Sequence, residues 1–172
     1  SRSDDGLTVT NTYASPKTDI TGRKVWVNGE QNRPEFIELQ LYRQLAGGEK
    51  TAVGTAERLE KGTYEYVWKD MNMTDADGNP YTYTADEVNV PENYTKSIAD
   101  LTVTNTYEIP KTEITGKKIW VGGQGERPVI ELQLYQDGKA FADPVRLENG
   151  KTEWTWQDLN KTDVNGIEHK YT

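Results

Sequence analysis

The chain repeats itself at an interval far longer than a turn or a hairpin. Leu7-Thr-Val-Thr-Asn11-Thr-Tyr13 returns 94 positions later as Leu101-Thr-Val-Thr-Asn105-Thr-Tyr107. Ile20-Thr-Gly-Arg-Lys24-Val-Trp26 returns at the same offset as Ile114-Thr-Gly-Lys-Lys118-Ile-Trp120. Arg33-Pro34 matches Arg127-Pro128, and Ile37-Glu-Leu-Gln-Leu-Tyr42 matches Ile130-Glu-Leu-Gln-Leu-Tyr135. Shorter loops then reduce the offset to 88, pairing Trp68 with Trp156 and Tyr83 with Tyr171. A unit of about 90 residues is too long for a solenoid element and is the size of a small domain with its own core. The phase of the repeat predicts three parts. Residues 1–14 read as the last strand of a preceding copy, 15–109 as a complete sandwich domain, and 110–172 as a second copy without its final strands.

Inside the complete copy, apolar and polar residues alternate with the period of a strand that has one buried and one wet face. Ile37, Leu39 and Leu41 alternate with Glu38 and Gln40; Tyr64, Tyr66 and Trp68 with Glu65 and Val67; Tyr81 and Tyr83 with threonines; Leu101 and Val103 lead into Asn105. Asn28-Gly29, Gly47-Gly48, Lys61-Gly62 and Asp77-Gly78-Asn79-Pro80 punctuate these runs as turns. No stretch has helical periodicity. Six or seven short strands at this spacing predict an all-β chain of tandem, Ig-like (prealbumin-like) antiparallel β-sandwiches.

A hydrophobic share of 34% suits small sandwiches better than one large core. The net charge of −8 and the lack of a basic patch argue against nucleic acid as a partner. No apolar run approaches membrane-spanning length, so no membrane insertion is expected of these residues. Cysteine is absent and histidine occurs once, which removes disulfides, thiolate zinc sites and His-based triads. Asp75-Ala-Asp77-Gly-Asn79 has a superficial calcium-loop spacing, but Pro80 stands where the loop needs glycine; a hairpin turn is the simpler reading, and no metal or cofactor is expected. A small domain without disulfides still needs a staple.

Three polar residues interrupt strand patterns. Lys24 shares a strand face with Trp26, and the pattern alone allows either an outward lysine on an edge strand or an inward, buried one. Asn105 sits mid-strand, where asparagine is disfavoured, or else marks a strand end. Glu87, in Tyr83-Thr-Ala-Asp-Glu-Val-Asn-Val90, reads equally as an ordinary solvated acid.

Thr21-Gly-Arg-Lys-Val-Trp26, the segment Tyr83-Thr-Ala-Asp-Glu-Val-Asn-Val-Pro-Glu-Asn-Tyr-Thr95 and the ending Val103-Thr-Asn-Thr-Tyr107 together resemble the Cna protein B-type domain family. These are stalk domains of Gram-positive adhesins and pilins. The resemblance spans about 17–107, begins again over 111–172 and reaches back through 7–13. It implies an isopeptide bond between Lys24 and Asn105, formed spontaneously with help from Glu87; a one-residue bulge would give that role to Asp86. Lys118 and Asn11 are the equivalent positions in the incomplete copies. The implied function is a spacer in a cell-wall-anchored bacterial surface adhesin, extracellular and not an enzyme on outside substrates. Neighbouring repeats of the same chain are the expected partners, and strand 7–13 of one molecule could complete the 110–172 sheet of another head to tail. The alternatives are a module that itself binds a host glycan or matrix protein, or a pilus backbone subunit. The loop Gln44–Ala56, longer than its counterpart but small and polar, argues against the first.

Overall fold

A computed structural model describes Gly6 and residues 8–172, and among these it contains eleven strands and one short 3-10 turn, Glu30–Asn32. Two compact units emerge. The first runs up to Val27 and resumes over Arg33–Thr106; the second comprises Asn28–Asn32 and Tyr107–Thr172.

The first unit is a two-layer sandwich. Its strands are β1 (Lys17–Val27), β2 (Phe36–Leu45), β3 (Thr51–Glu60), β4 (Glu65–Asn72), β5 (Tyr81–Glu87), β6 (Tyr94–Ala99) and β7 (Thr102–Tyr107). One sheet has the order β4-β1-β7-β6 and the other β3-β2-β5. The alternation read from the sequence sets the faces: Ile37, Leu39 and Leu41 of β2 are buried with Ala85 of the neighbouring β5, as are Trp68 and Val103 on strands of the opposite sheet. Each such aliphatic side chain contributes about 1.5–3 kcal/mol by leaving water.

Two features depart from the sequence expectation. The β1–β7 pair is parallel, with Arg23–Val27 alongside Thr102–Thr106. First and last strands of a domain are not joined by a hairpin, so nothing forces them antiparallel. The segment Gln44–Ala56 is mostly strand, not loop: β2 runs to Leu45 and β3 begins at Thr51. As an edge strand β3 keeps much of its length in water, which erases the apolar half of the alternation. A bulge between Leu39 and Leu41 is filled by Gln40, whose Nε2 donates to the carbonyls of Leu41 (2.9 Å) and Val53 (3.1 Å).

The second unit contains β8 (Lys111–Lys117), β9 (Ile130–Gln136), β10 (Lys139–Leu147) and β11 (Glu153–Asn160). They pair as β11-β8 and β10-β9, with Leu134, Leu147 and Leu159 buried. Gln133 repeats the role of Gln40, donating to the carbonyls of Leu134, Phe141 and Ala142. The backbone of Tyr135 exchanges hydrogen bonds with Thr172. Within this unit Gly29 and Gln31 donate to the carbonyls of Val164 and Asn165.

Of the strand expected over 7–13, Leu7 lies outside the described residues. Over Thr8–Tyr13 only Val9 forms a bridge, and Asn11 is exposed. The Tyr13 hydroxyl lies 2.9 Å from that of Thr74 in the same unit. A strand exists only against a partner edge, and these residues take up no regular ladder.

Candidate functional site

β1 occupies the middle of its sheet, so the edge-strand reading of Lys24 does not hold. Its backbone N–H donates to the Tyr64 carbonyl on one flank, while on the other β1 runs beside β7. Strand alternation then decides the side-chain direction. Gly22 and Lys24 face the core, and Arg23 and Val25 face out. Gly22 is required by packing: a Cβ there would stand 2.6 Å from Cζ3 of Trp68. With glycine, the indole lies against β1 two residues before the lysine.

Lys24 is 3% exposed, Glu87 1% and Asn105 0%. Among the described residues of the first unit these three are the whole set of buried polar or charged side chains. β1, β5 and β7 deliver them to one place. Trp26 and Asn105 are register partners in the β1–β7 ladder, which sets the Asn105 side chain one step along the same face from Lys24. Glu87 arrives from the opposite sheet at the end of β5, where Leu39 is its partner. Lys24 Nζ is 3.8 Å from Glu87 Oε2, close enough for ionic attraction but too long for a hydrogen bond. The Nζ donates instead to the Val25 carbonyl at 3.3 Å and lies 4.1 Å from the centre of the Trp26 ring. Tyr94 meets the same ring edge-on at 5.0 Å.

Burial dominates the electrostatics. It lowers the Lys24 pKa from its ordinary 10.5 to about 8, against the attraction of Glu87. It raises the Glu87 carboxyl above its ordinary range, with the Lys24 charge, the Asn105 amide and Lys96 pulling the other way. The Asn105 amide lies in the field of Glu87 without closing a hydrogen bond of ordinary geometry, and all four terminal atoms of the two side chains lack a hydrogen-bond partner. Leaving a buried polar group unpaired costs about 1–3 kcal/mol. The cluster is therefore expensive as packing. It does place a lysine biased toward its neutral form, a carboxyl biased toward its acid form and a carboxamide within one apolar pocket.

Asp86 points to the other face of β5, where its carboxylate pairs with Lys96, so no bulge exchanges it with Glu87. Lys118 is half-buried beyond the end of β8, with its Nζ 4.7 Å from the Trp120 ring. Asn11 is exposed, and neither it nor Lys118 belongs to the buried polar set. Asp75 is engaged by its own turn: its carboxylate accepts from the backbone of Asp77 and Asn79 and from the Asn79 side chain. Among the described residues no group of acids and histidine could hold a metal ion.

A sequence profile of the Cna protein B-type domain matches residues 20–106 and again 114–172. The chain belongs to the Cna protein B-type domain family. It is 37% identical over 175 residues to a collagen adhesin of Staphylococcus aureus, a match that covers 96% of this chain and 14% of that protein. The crystal structure of a single B repeat unit of the S. aureus collagen-binding surface protein is 31% identical, with a TM-score of 0.44 over 91% of this chain and 84% of that one. The structure of two such units from the same protein gives a TM-score of 0.45 at 31% identity, over 93% of this chain and 43% of that one. The family is one of structural repeats in surface adhesins, not of enzymes.

Proposed function

We propose that this chain is part of the stalk of a bacterial surface adhesin, and that its complete repeat locks itself with an amide between Lys24 and Asn105. What carries the reading is the seclusion of Lys24, Glu87 and Asn105 together, with no other partner for the acid and the amide. Neutral Lys24 attacks Cγ of Asn105, while protonated Glu87 hydrogen-bonds the carboxamide oxygen and draws charge from the carbon. The proton shed by Nζ passes through Glu87 to the departing nitrogen. One C–N bond forms, one breaks, and ammonia leaves; Glu87 ends in its starting form. Rigid strands supply the proximity that an unactivated amide needs. Each molecule reacts once, and no cofactor takes part.

The crosslink is the staple that cysteine cannot provide. It joins the first and last strands, so a load on the stalk passes through the amide and bypasses the 81 residues that follow Lys24 up to Asn105. Trp68 is buried in the core and Trp26 is packed partly buried against it, which removes both from a sugar-stacking surface. The chain spans 14% of its staphylococcal relative, and the collagen binding in that relative's name is assigned here to regions beyond such repeats. Wall anchoring outside the cell is likewise assigned to regions beyond these residues. Single-molecule pulling across the first repeat tests this. The wild type should give no long extension before the handles detach. Lys24→Ala should release roughly 270 Å at about 3.4 Å per residue. A full-length step in the wild type would overturn the proposal.

A further inference from the structure

Beside the buried cluster lie two charged groups from outside its three strands, Arg33 and Lys96, and of these Lys96 holds the backbone of β5 directly. It sits on β6, the outer strand of one sheet, while Glu87 closes β5, the outer strand of the other. Its Nζ donates to the Glu87 backbone carbonyl at 2.9 Å and forms a short contact with the Asp86 carboxylate. We infer that Lys96 is a positioning residue for the crosslinking step: it grips β5 at residues 86 and 87 and thereby fixes the Glu87 carboxyl beside Lys24. This inference rests on the crosslinking reading.

β5 pairs with β2 on one side only, so its outward backbone groups need partners from elsewhere. Ala85 donates to the Asp100 carbonyl, and Lys96 takes the carbonyl of Glu87. Successive side chains on a strand point to opposite faces. A single ammonium that holds the carbonyl of residue 87 and the side chain of residue 86 therefore fixes the rotation of the strand at that point. The direction of the Glu87 side chain follows. Lys96 is also only partly exposed, so its charge reaches the pocket together with those of Lys24, Asp86 and Arg33. It disfavours a proton on Lys24 and on Glu87 alike.

The test follows crosslinking in the full chain made by cell-free synthesis, quenched in denaturant at intervals and read by intact mass. Lys96→Met should slow ammonia loss by roughly tenfold or more, and move the pH profile of the rate to higher pH, because both neighbours then hold their protons longer. Asp86→Asn, which keeps Lys96 and weakens only its anchor, should slow the reaction less. A purely structural loss would lower the rate without moving the profile. A second readout needs no crosslink: carbon-13 NMR of the Glu87 carboxyl in Lys24→Ala, with and without Lys96→Met. Its midpoint should rise when Lys96 is removed. If the wild type crosslinks and Lys96→Met matches it in rate and profile, the role of Lys96 is refuted while the crosslink stands. If the wild type never crosslinks, the crosslinking reading fails, and an unmoved Glu87 midpoint would refute the Lys96 contact as well.

Discussion

The two copies of Ile-Thr-Gly-(Arg/Lys)-Lys-(Val/Ile)-Trp have nearly the same sequence and different structures. In the first, β1 continues to Val27 and Lys24 is buried. In the second, β8 stops at Lys117, just before the equivalent lysine. Val25 and Val27 are 41% and 39% exposed, whereas Ile119 and Val121 are 78% and 95% exposed. The halves that match, Ile20–Arg23 and Ile114–Lys117, pair with β4 and β11 in the same way. The halves that differ are separated by one contact: Arg23–Val27 lies along β7, and no counterpart of β7 accompanies 118–121 among the described residues. Local sequence is thus enough for the first half of this strand. Burial of the lysine accompanies pairing with the strand that carries the asparagine, so one pairing event both hides Lys24 and brings Asn105 onto the same face.

The comparison breaks most visibly on stability. Lys24→Ala should cost the first unit roughly 4–5 kcal/mol, the value expected for losing closure of a long loop. Lys118→Ala should stay within about 0.5 kcal/mol, as for substitutions that touch no such bond. Denaturant unfolding of both variants measures this, and equal losses would erase the distinction between the copies. Glu87→Gln keeps the shape of the acid but cannot relay a proton, so the variant should fold and crosslink slowly or not at all by intact mass.

The next effect is on pH. In Asn105→Ala no amide can form, and Lys24 titrates. Below about 8 the lysine is protonated in the folded and unfolded chain alike. Between about 8 and 10.5 only the unfolded chain holds that proton, so stability should rise with pH across this window, by on the order of 1–3 kcal/mol, and level off above it. Glu87 acts in the opposite sense over the interval just above its ordinary range, where the folded state holds the extra proton. The crosslinked wild type has no Lys24 ammonium and should lack the alkaline rise. Urea midpoints between pH 7 and 11 compare the two, and a matching rise in the wild type would contradict the account.

A further effect is shared by the two copies. Gly22 and Gly116 each lie under a tryptophan, with Cβ positions 2.6 Å from Trp68 and 2.9 Å from Trp156. Alanine at either position should cost about 1–3 kcal/mol by overpacking. Thermal unfolding of the two variants reads whether this half of the motif serves both copies equally.

Much of this architecture was legible in the sequence because alternation and repetition report on faces. Ile37, Leu39, Leu41, Trp68 and Val103 were assigned to strands by period and are in the core. Lys24 and Asn105 stood out as polar residues in strand patterns that left open whether Lys24 faced outward or inward and whether Asn105 lay mid-strand or at a strand end. Glu87 did not: Ala85 and Glu87 share a buried face, but an acid after an aspartate at a strand end has the pattern of solvent. Only the resemblance singled it out. β3 was missed because an edge strand carries little apolar signal. Lys96 was missed because Tyr94-Thr-Lys-Ser-Ile98 looks like a wetted strand, and its partner lies in the other sheet, a relation no local pattern encodes. Gln40 and Gln133 carried a signal in their repetition, since a glutamine kept inside both copies of Glu-Leu-Gln-Leu-Tyr serves the same bulge in each.

The central claim is covalent, and intact-protein mass spectrometry of the purified chain tests it most directly. The account predicts a mass lower than the linear sequence by one ammonia, with a branched peptide joining Lys24 to Asn105 after digestion and none at Lys118. A mass equal to that of the linear chain would contradict it.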